Sequence, residues 1–282
     1  MKNEKIYNKL VRDKIPEVIE SCGKKFSSHI AGELEYKEEL FKKVYEELEE
    51  FKENPSAEEI LSLKPDVVFI YNWGKAEMVD NLRELGIKVV VVKGPKSIAD
   101  VKENVKLIAK TLGEEDKGNL MIAKMDDKLA EIKEKVDNIK PERRKKLVLI
   151  SLMTSYGGKG CTFDDICKYA GVINGVSDAG LHNGQLLTKE MLVDINPDLL
   201  IMPVYNDHKT FDIEKYNKEF LDDPALQTLN AVKEKRFFYP REGYIYNSSQ
   251  DIVFGVQEVA RAAYGELFSQ PENCHISVAE IN

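Results

Sequence analysis

The sequence predicts an α/β fold in which two series of alternating strands and helices, each building a parallel sheet, stand on either side of one long helix. Three observations predict it. Short apolar runs such as PDVVFI, IKVVVV, KLVLISLM and PDLLIM alternate with segments whose apolar residues recur at helical spacing. Between the two series, residues 118–139 carry Leu120, Ala123, Leu129, Ile132 and Val136 in a background of Lys, Asp and Glu, the pattern of a helix with one buried stripe. The series also echo each other. Residues 60–73 read ILSLKPDVVFIYNW and residues 191–206 read MLVDINPDLLIMPVYN, each a helix end, Pro-Asp, an apolar strand and an aromatic-Asn loop.

Taken in order, EYKEELFKKVYEELEEFKE places Leu40, Val44, Leu48 and Phe51 on one helix face and charges on the others. PDVVFIYNWG reads as a buried strand and its exit loop, AEMVDNLRELG as a helix closed by Gly86, and IKVVVVKGP as a second strand. SIADVKENVKLIAKTLG is a helix ending at Gly113; the long helix follows, and Pro141 stops it. The second series runs through the strand KLVLISLM, the helix TFDDICKYAG, the strands PDLLIMPVYN and KRFFYP, and the closing helix SQDIVFGVQEVARAAYGELF. Thr162 is placed to N-cap the helix TFDDICKYAG, with Asp165 completing a capping-box-like arrangement.

With 282 residues, 43% of them hydrophobic, the chain can bury a large core in one big domain or two smaller ones. A net charge of -8 and the lack of a Lys/Arg run beside stacking aromatics exclude nucleic acid as the expected partner. Cys22, Cys161, Cys167 and Cys274 lack CxxC spacing, so free thiols are expected rather than a zinc site or a disulfide framework. The first thirty residues hold charges throughout and no apolar core, so no secretory leader is expected and the chain is placed in the cytoplasm. No run approaches the ~20 apolar residues that membrane insertion needs.

The motifs SAEEILSLKPDVVFI, LRELGIKVVVV, YGGKGCTFDDICKYAGVINGVSDAG, LTKEMLVDINPDLLIMP and DDPALQTLNAVKEKRFFYP follow one another from residue 56 onward. In that order they resemble the substrate-binding proteins of iron-siderophore, haem and cobalamin ABC importers. The resemblance implies two Rossmann-like lobes with parallel sheets joined by one long helix: a partial first lobe at 56–117, the connecting helix at 118–140 and a second lobe at 141–282. It implies a ligand held between the lobes against loops at the carboxyl ends of strands, where open α/β sheets generally bind. Those loops offer Tyr71, Asn72 and Trp73 from the first lobe, and Tyr156, Tyr205, Asn206, His208, Arg241 and Tyr244 from the second.

Such a set suits a flat or anionic metal chelate. Aromatic faces cover apolar area, Arg241 pairs with a carboxylate or phosphate, and His208 or a Tyr ligates iron or cobalt. Tyr71 and Tyr205 serve equally as strand caps, and for His208 the surface loop role is preferred to metal ligation; Trp73, the single tryptophan, is the first choice for ligand contact. TSYGGKGCTF lacks the GxxxxGK[ST] spacing of a nucleotide loop and reads as a cleft loop whose glycines let backbone approach ligand. The resemblance also implies docking on an ABC permease, if the protein is exported, through one carboxylate per lobe. Glu77 matches in the first; in the second Asp222 is chosen, with Glu219 and Asp223 beside it. No cofactor is required, an iron or cobalt chelate being the cargo.

Residues 1–55 point elsewhere. YNKLVRDKIPEVIESCGKK followed by YKEELFKKVYEELEEF is similar to the opening of MazG-like, phosphoribosyl-ATP pyrophosphohydrolase-like proteins, all-helical enzymes that hold Mg²⁺ with paired carboxylates on two helices. Glu46, Glu47, Glu49 and Glu50 supply the first pair, but Ser62 stands where the second pair needs an Asp. The expectation is therefore a non-enzymatic solute-binding module whose first lobe lacks its opening strand and is preceded by a helical fragment. The alternatives are a Mg-dependent nucleotide pyrophosphohydrolase and a fusion without function.

Overall fold

The computed structural model of the chain describes residues 19–21, 23, 29, 32, 34–42, 56–152, 156–204, 212–241 and 243–279. These fall in two compact units, Met1–Val91 and Val92–Asn282.

In the first unit, residues 34–42 are helical, and Leu40, predicted on an apolar face, is exposed. Helix α1, Ala57–Ser62, starts from a full capping box: the Ser56 hydroxyl accepts the Glu59 N–H at 3.2 Å and the Glu59 carboxylate accepts the Ser56 N–H at 2.6 Å. Strand β1 (Val68–Tyr71), helix α2 (Ala76–Glu84) and strand β2 (Val89–Val92) follow, and β1 pairs with β2. Leu82 of α2 meets Ala57 and Ile87 in a small core, against which Val68, Ile70 and Val89 are half-buried. This first sheet has two strands among the described residues.

The second unit opens with a helix pair. The Ser97 hydroxyl caps α3 (Ile98–Leu112), and Gly113 closes it in the left-handed region at φ 71°, where a Cβ would be strained. Helix α4, Glu115–Asp137, is the predicted long helix. Its buried stripe is Gly118, Met125, Leu129, Ile132 and Val136, so Leu120 and Ala123 lie off it. Gly118 allows the pair to touch: a Cβ there would lie 2.5 Å from that of Ala109.

After a 3-10 turn at Pro141–Arg143 come β3 (Lys146–Leu149), α5 (Thr162–Tyr169), β4 (Ile173–Asn174), α6 (Gly175–Asp178), α7 (Lys189–Ile195) and β5 (Leu199–Ile201). Helix α8 (Ile213–Leu221), a 3-10 helix (Pro224–Thr228), α9 (Asn230–Lys233), β6 (Phe237–Phe238), α10 (Ile252–Tyr264) and a last 3-10 turn (Gly265–Phe268) complete it. The sheet is parallel, in the order β4-β3-β5-β6, with Leu147 opposite both Asn174 and Leu199, and Leu200 opposite Phe237. Alternation along the strands builds the two faces. Leu147, Leu149, Leu199 and Ile201 pack with α4, α5 and α10; Val148, Ile150, Leu200 and Met202 pack with Val176, Leu192, Leu226 and Ala231. Residues 252–260 of α10 are buried on every side, as a helix inside a core must be.

The expected N-cap of α5 is corrected. Cys161, extended at φ -116° and ψ 170°, occupies the cap position without a side-chain bond, and Thr162 is already the first helical residue. Asp165 turns outward to accept the Ile98 N–H at 2.9 Å, so it caps α3 rather than its own helix.

Candidate functional site

In the second unit the chain runs from β3 to β4 on one side and returns to β5 on the other. The carboxyl ends of β3 and β5 therefore flank the point where the strand order reverses, the usual crevice of an open parallel sheet. Tyr156 stands there. Its hydroxyl is 2.8 Å from that of Thr162, and its ring tilts against Tyr246 with centroids 5.6 Å apart. The Tyr246 hydroxyl bonds to Ser151, just past β3. Burial, above all, pushes both phenols up, Tyr156 far beyond the ordinary tyrosine range. Both stay protonated at neutral pH, packed against the core with their hydroxyls engaged by Thr162 and Ser151.

The following glycines shape the loop. Gly157 and Gly160 sit at φ 115° and 86°, and a Cβ on Gly158 would approach the His182 carbonyl carbon to 2.6 Å. Lys159 and His182 form a parallel bridge, with the Lys159 N–H donating to the Leu181 carbonyl at 2.9 Å.

Arg241 and Tyr244 have scaffold partners. Glu258 of α10, fully buried, receives the Arg241 Nη2 at 3.1 Å, the Arg241 N–H at 3.0 Å and the Arg261 Nη2 at 2.8 Å. Arg241 Nη1 donates to the carbonyls of Gln270 and Pro271 at 3.1 and 2.8 Å. Burial opposes the Glu258 charge, but the bonds from Arg261 and Arg241 outweigh it and hold the carboxyl below its usual range. Tyr244, 8% exposed, packs on Phe254; its hydroxyl accepts the Cys274 N–H at 2.7 Å and donates to the Cys274 carbonyl at 3.3 Å. Both side chains thus pin the segment after the last 3-10 turn.

Below β5 and β6, Pro203, Val204 and Tyr239 border an open hollow of ≈ 850 Å³ with the start of α8, where Asn217 donates to the Pro203 carbonyl at 3.0 Å. Asp222, the exposed C-cap of α8, is on its wall. Asp223 is paired with Lys189, and Glu219 lies 3.8 Å from Lys215. Tyr205, Asn206 and His208 lie outside the described residues, as do Glu46, Glu47, Glu49 and Glu50. Cys161, Cys167 and Cys274 are free thiols. Among the described residues no group of His, Cys, Asp or Glu side chains is placed to hold a metal ion.

In the first unit, Tyr71 ends β1, and a turn closed by the Gly74 N–H on the Tyr71 carbonyl at 2.8 Å folds Trp73 back onto it. The rings stack with centroids 4.3 Å apart and 21° between planes, and Trp73 remains 66% exposed. Asn72 sits in the same turn and is exposed, and Glu77 is exposed in the first turn of α2.

The structure therefore joins Tyr71 to Trp73 and Arg241 to Tyr244, and it supplies for Tyr156 a partner absent from the sequence analysis, Tyr246. In GYIY an extended chain would put both tyrosines on one face. Residues 243–246 form a turn instead, which sends Tyr244 into the core. No residue pattern signals that turn beyond Gly243.

A family model described as "Periplasmic binding protein" matches residues 48–242, beginning inside the acidic helix pattern rather than at residue 56. The chain is 25% identical over 226 residues to an uncharacterized ABC transporter substrate-binding lipoprotein, YvrC, of Bacillus subtilis, an alignment covering 77% of the chain and 68% of that protein. It is 22% identical to the molybdate-binding protein MolA of Haemophilus influenzae, covering 75% of the chain and 64% of the relative, so it spans about two thirds of the lengths of these curated relatives. The fold matches the periplasmic heme-binding protein RhuT from Roseiflexus sp. RS-1 with a TM-score of 0.63 at 21% identity, over 74% of this chain and 79% of that one. These relatives lend no support to the cytoplasmic placement. No helix among the described residues is long and apolar enough to cross a membrane.

Proposed function

Because the chain belongs to the periplasmic binding protein family, we propose that it is the substrate-binding module of an ABC importer and that its cargo is a metal-centred chelate. The observation that carries the choice of ligand is the Tyr71–Trp73 stack at the carboxyl end of a strand, in which Trp73 is left 66% exposed on a half-buried Tyr71. A solvent-exposed tryptophan loses contact area with water only when something covers it, and a planar or apolar-rimmed complex covers it best. On the second unit, the phenols of Tyr156 and Tyr246 are protonated, which disfavours phenolate ligation. The fold shared with a haem-binding protein fits this class of cargo, whereas the molybdate bound by another relative is a bare oxyanion and does not.

In this reading the protein binds and delivers, and does not catalyse. Tyr71, Asn72, Trp73, Tyr156 and Tyr246 face the cargo, while Arg241 and Tyr244 hold the frame. Glu77 and Asp222, both exposed at helix ends, meet the permease. The test is a titration with haemin, a ferric hydroxamate siderophore, cyanocobalamin and molybdate, following the fluorescence of the single tryptophan and the heat of binding. Saturable quenching by one of the first three, abolished in Trp73→Phe while the heat persists at reduced affinity, is expected. Absence of saturable binding by haemin, the siderophore and cyanocobalamin, or saturable binding of molybdate alone, defeats the proposal.

A further inference from the structure

Two polar side chains are buried where the sheet meets the glycine loop, and neither reaches the surface that the proposed ligand would touch. Asp164 of α5 is 3% exposed and Asn174 of β4 is 6% exposed. Uncompensated, such groups destabilise a core, so the partners they keep are informative. Asn174 Nδ2 donates to the Gly157 carbonyl at 2.9 Å and to Asp164 Oδ1 at 3.1 Å, while its Oδ1 accepts the Val176 and Ser177 N–H groups at 3.2 and 3.5 Å. Two acceptors on one side and two donors on the other allow only this orientation of the amide. Lys168 Nζ, 3.0 Å from Asp164 Oδ2, closes the relay at the surface.

The relay ends on the backbone of the residue next to Tyr156. Gly157 sits at φ 115°, a conformation with no secondary structure to maintain it, and Gly158 is pressed on the His182 carbonyl. Cys161 Sγ donates to the Gly158 carbonyl at 3.1 Å. The Asn174 amide is the donor that fixes the loop at its Tyr156 end. Strand β4 has only two residues, yet it puts Asn174 opposite Leu147 of β3 and so beside the loop that β3 feeds.

We propose that Asn174, oriented by Asp164, is the positioning residue of the ligand-facing loop 156–160: its amide pins the Gly157 carbonyl and thereby sets Tyr156 against Tyr246. This rests on the loop facing ligand, as proposed above. The discriminating variant is the exchange Asp164→Asn together with Asn174→Asp. The new Asn still donates to the new Asp, whose oxygen still caps α6, but a carboxylate has no proton for Gly157; Lys168→Met, which removes the ion pair that the exchange also loses, is measured beside it. Val176→Ala, a cavity variant in the same α6 that keeps every bond of the relay, is the control.

The full chain is measured two ways. Hydrogen exchange of amides 157–160 and 181–183 should quicken at least about tenfold in the exchange variant, the factor for a lost bond of ordinary strength, and stay as in the wild type in Val176→Ala and Lys168→Met. Affinity for haemin should fall by a similar factor in the exchange variant alone. Unchanged protection of 157–160, or equal quickening in Lys168→Met, overturns the proposal. So does faster exchange with undiminished haemin affinity, since the loop would then not position anything for ligand. If wild-type protein binds no haemin, the ligand reading loses that cargo, and the exchange arm by itself decides whether Asn174 sets the loop.

Discussion

Replacing Glu258 with Gln keeps the shape of the side chain and removes one charge from a place with no water. The wild-type carboxylate is 0% exposed and accepts from Arg241 twice, from Arg261 and, at 3.1 Å, from Gln270 Nε2. Glutamine can present its Oε1 to only one side. Its Nε2 then points a donor at donors, either Arg241 Nη2 and Gln270 or Arg261 and the Arg241 N–H. Breaking a buried pair from one side costs about 3–5 kcal/mol. The two arginine side chains are 24% and 27% exposed, so water takes up part of their stranded charge, and about 3 kcal/mol is expected. For a unit of about 190 residues each kcal/mol moves the midpoint by about 2–4 °C, giving a drop of roughly 6–12 °C at neutral pH. Calorimetry of Glu258→Gln, Arg241→Met and the double variant measures it. The single costs should not add, because the second change removes a partner already stranded. A Glu258→Gln midpoint within a degree of wild type, or strict additivity, would refute the account of the network.

The same carboxyl gives a pH signature. Its folded-state pKa lies below the unfolded value of about 4.3, so its contribution is complete above that pH and disappears as pH falls through the lower folded value. Acid unfolding of Glu258→Gln should therefore be shallower there than that of the wild type. Arg241→Met should lower the thermal midpoint but leave ligand affinity within about twofold, separating a frame residue from a contact residue; a large affinity loss at unchanged stability would restore it to the ligand. Gly118→Ala should destabilise by about 1–3 kcal/mol despite alanine's better helix propensity, since Ala109 lies 2.5 Å from the new methyl; a gain in midpoint would mean the helix pair can separate without cost. Asp165→Ala should cost about 1 kcal/mol through an N-terminus that belongs to another helix, seen as faster amide exchange at Ile98.

The alternation of apolar strands with periodic helices made the α/β class and most elements legible, because both periods are written by burial itself. Where burial and sequence spacing parted, the reading slipped. The stripe of α4 turned on Met125, buried in the large core, and on Gly118, which close packing against Ala109 selects. Strand β4, two residues long, carries no period at all and was invisible, although it delivers Asn174. Trp73 and Tyr156 could be named as candidates because strand exits were legible. Tyr246 could not, because its direction depends on a turn, and the long-range bonds that engage Arg241 join residues 17 to 30 positions apart.

The strand order also fixes when the second unit can assemble. Its central strand β3 first meets β4 across 27 residues, Lys146 to Ile173, and then β5 across 52, Leu147 to Leu199. Helices α3 and α4 can form from neighbouring residues as they emerge from a ribosome; the sheet cannot. Until β5 has been synthesised, Leu147, Val148 and Leu149, all buried in the finished protein, have only one flank covered. A nascent chain halted near residue 195 should therefore bind chaperones through that strand, and one released with α10 complete, past residue 268, should not.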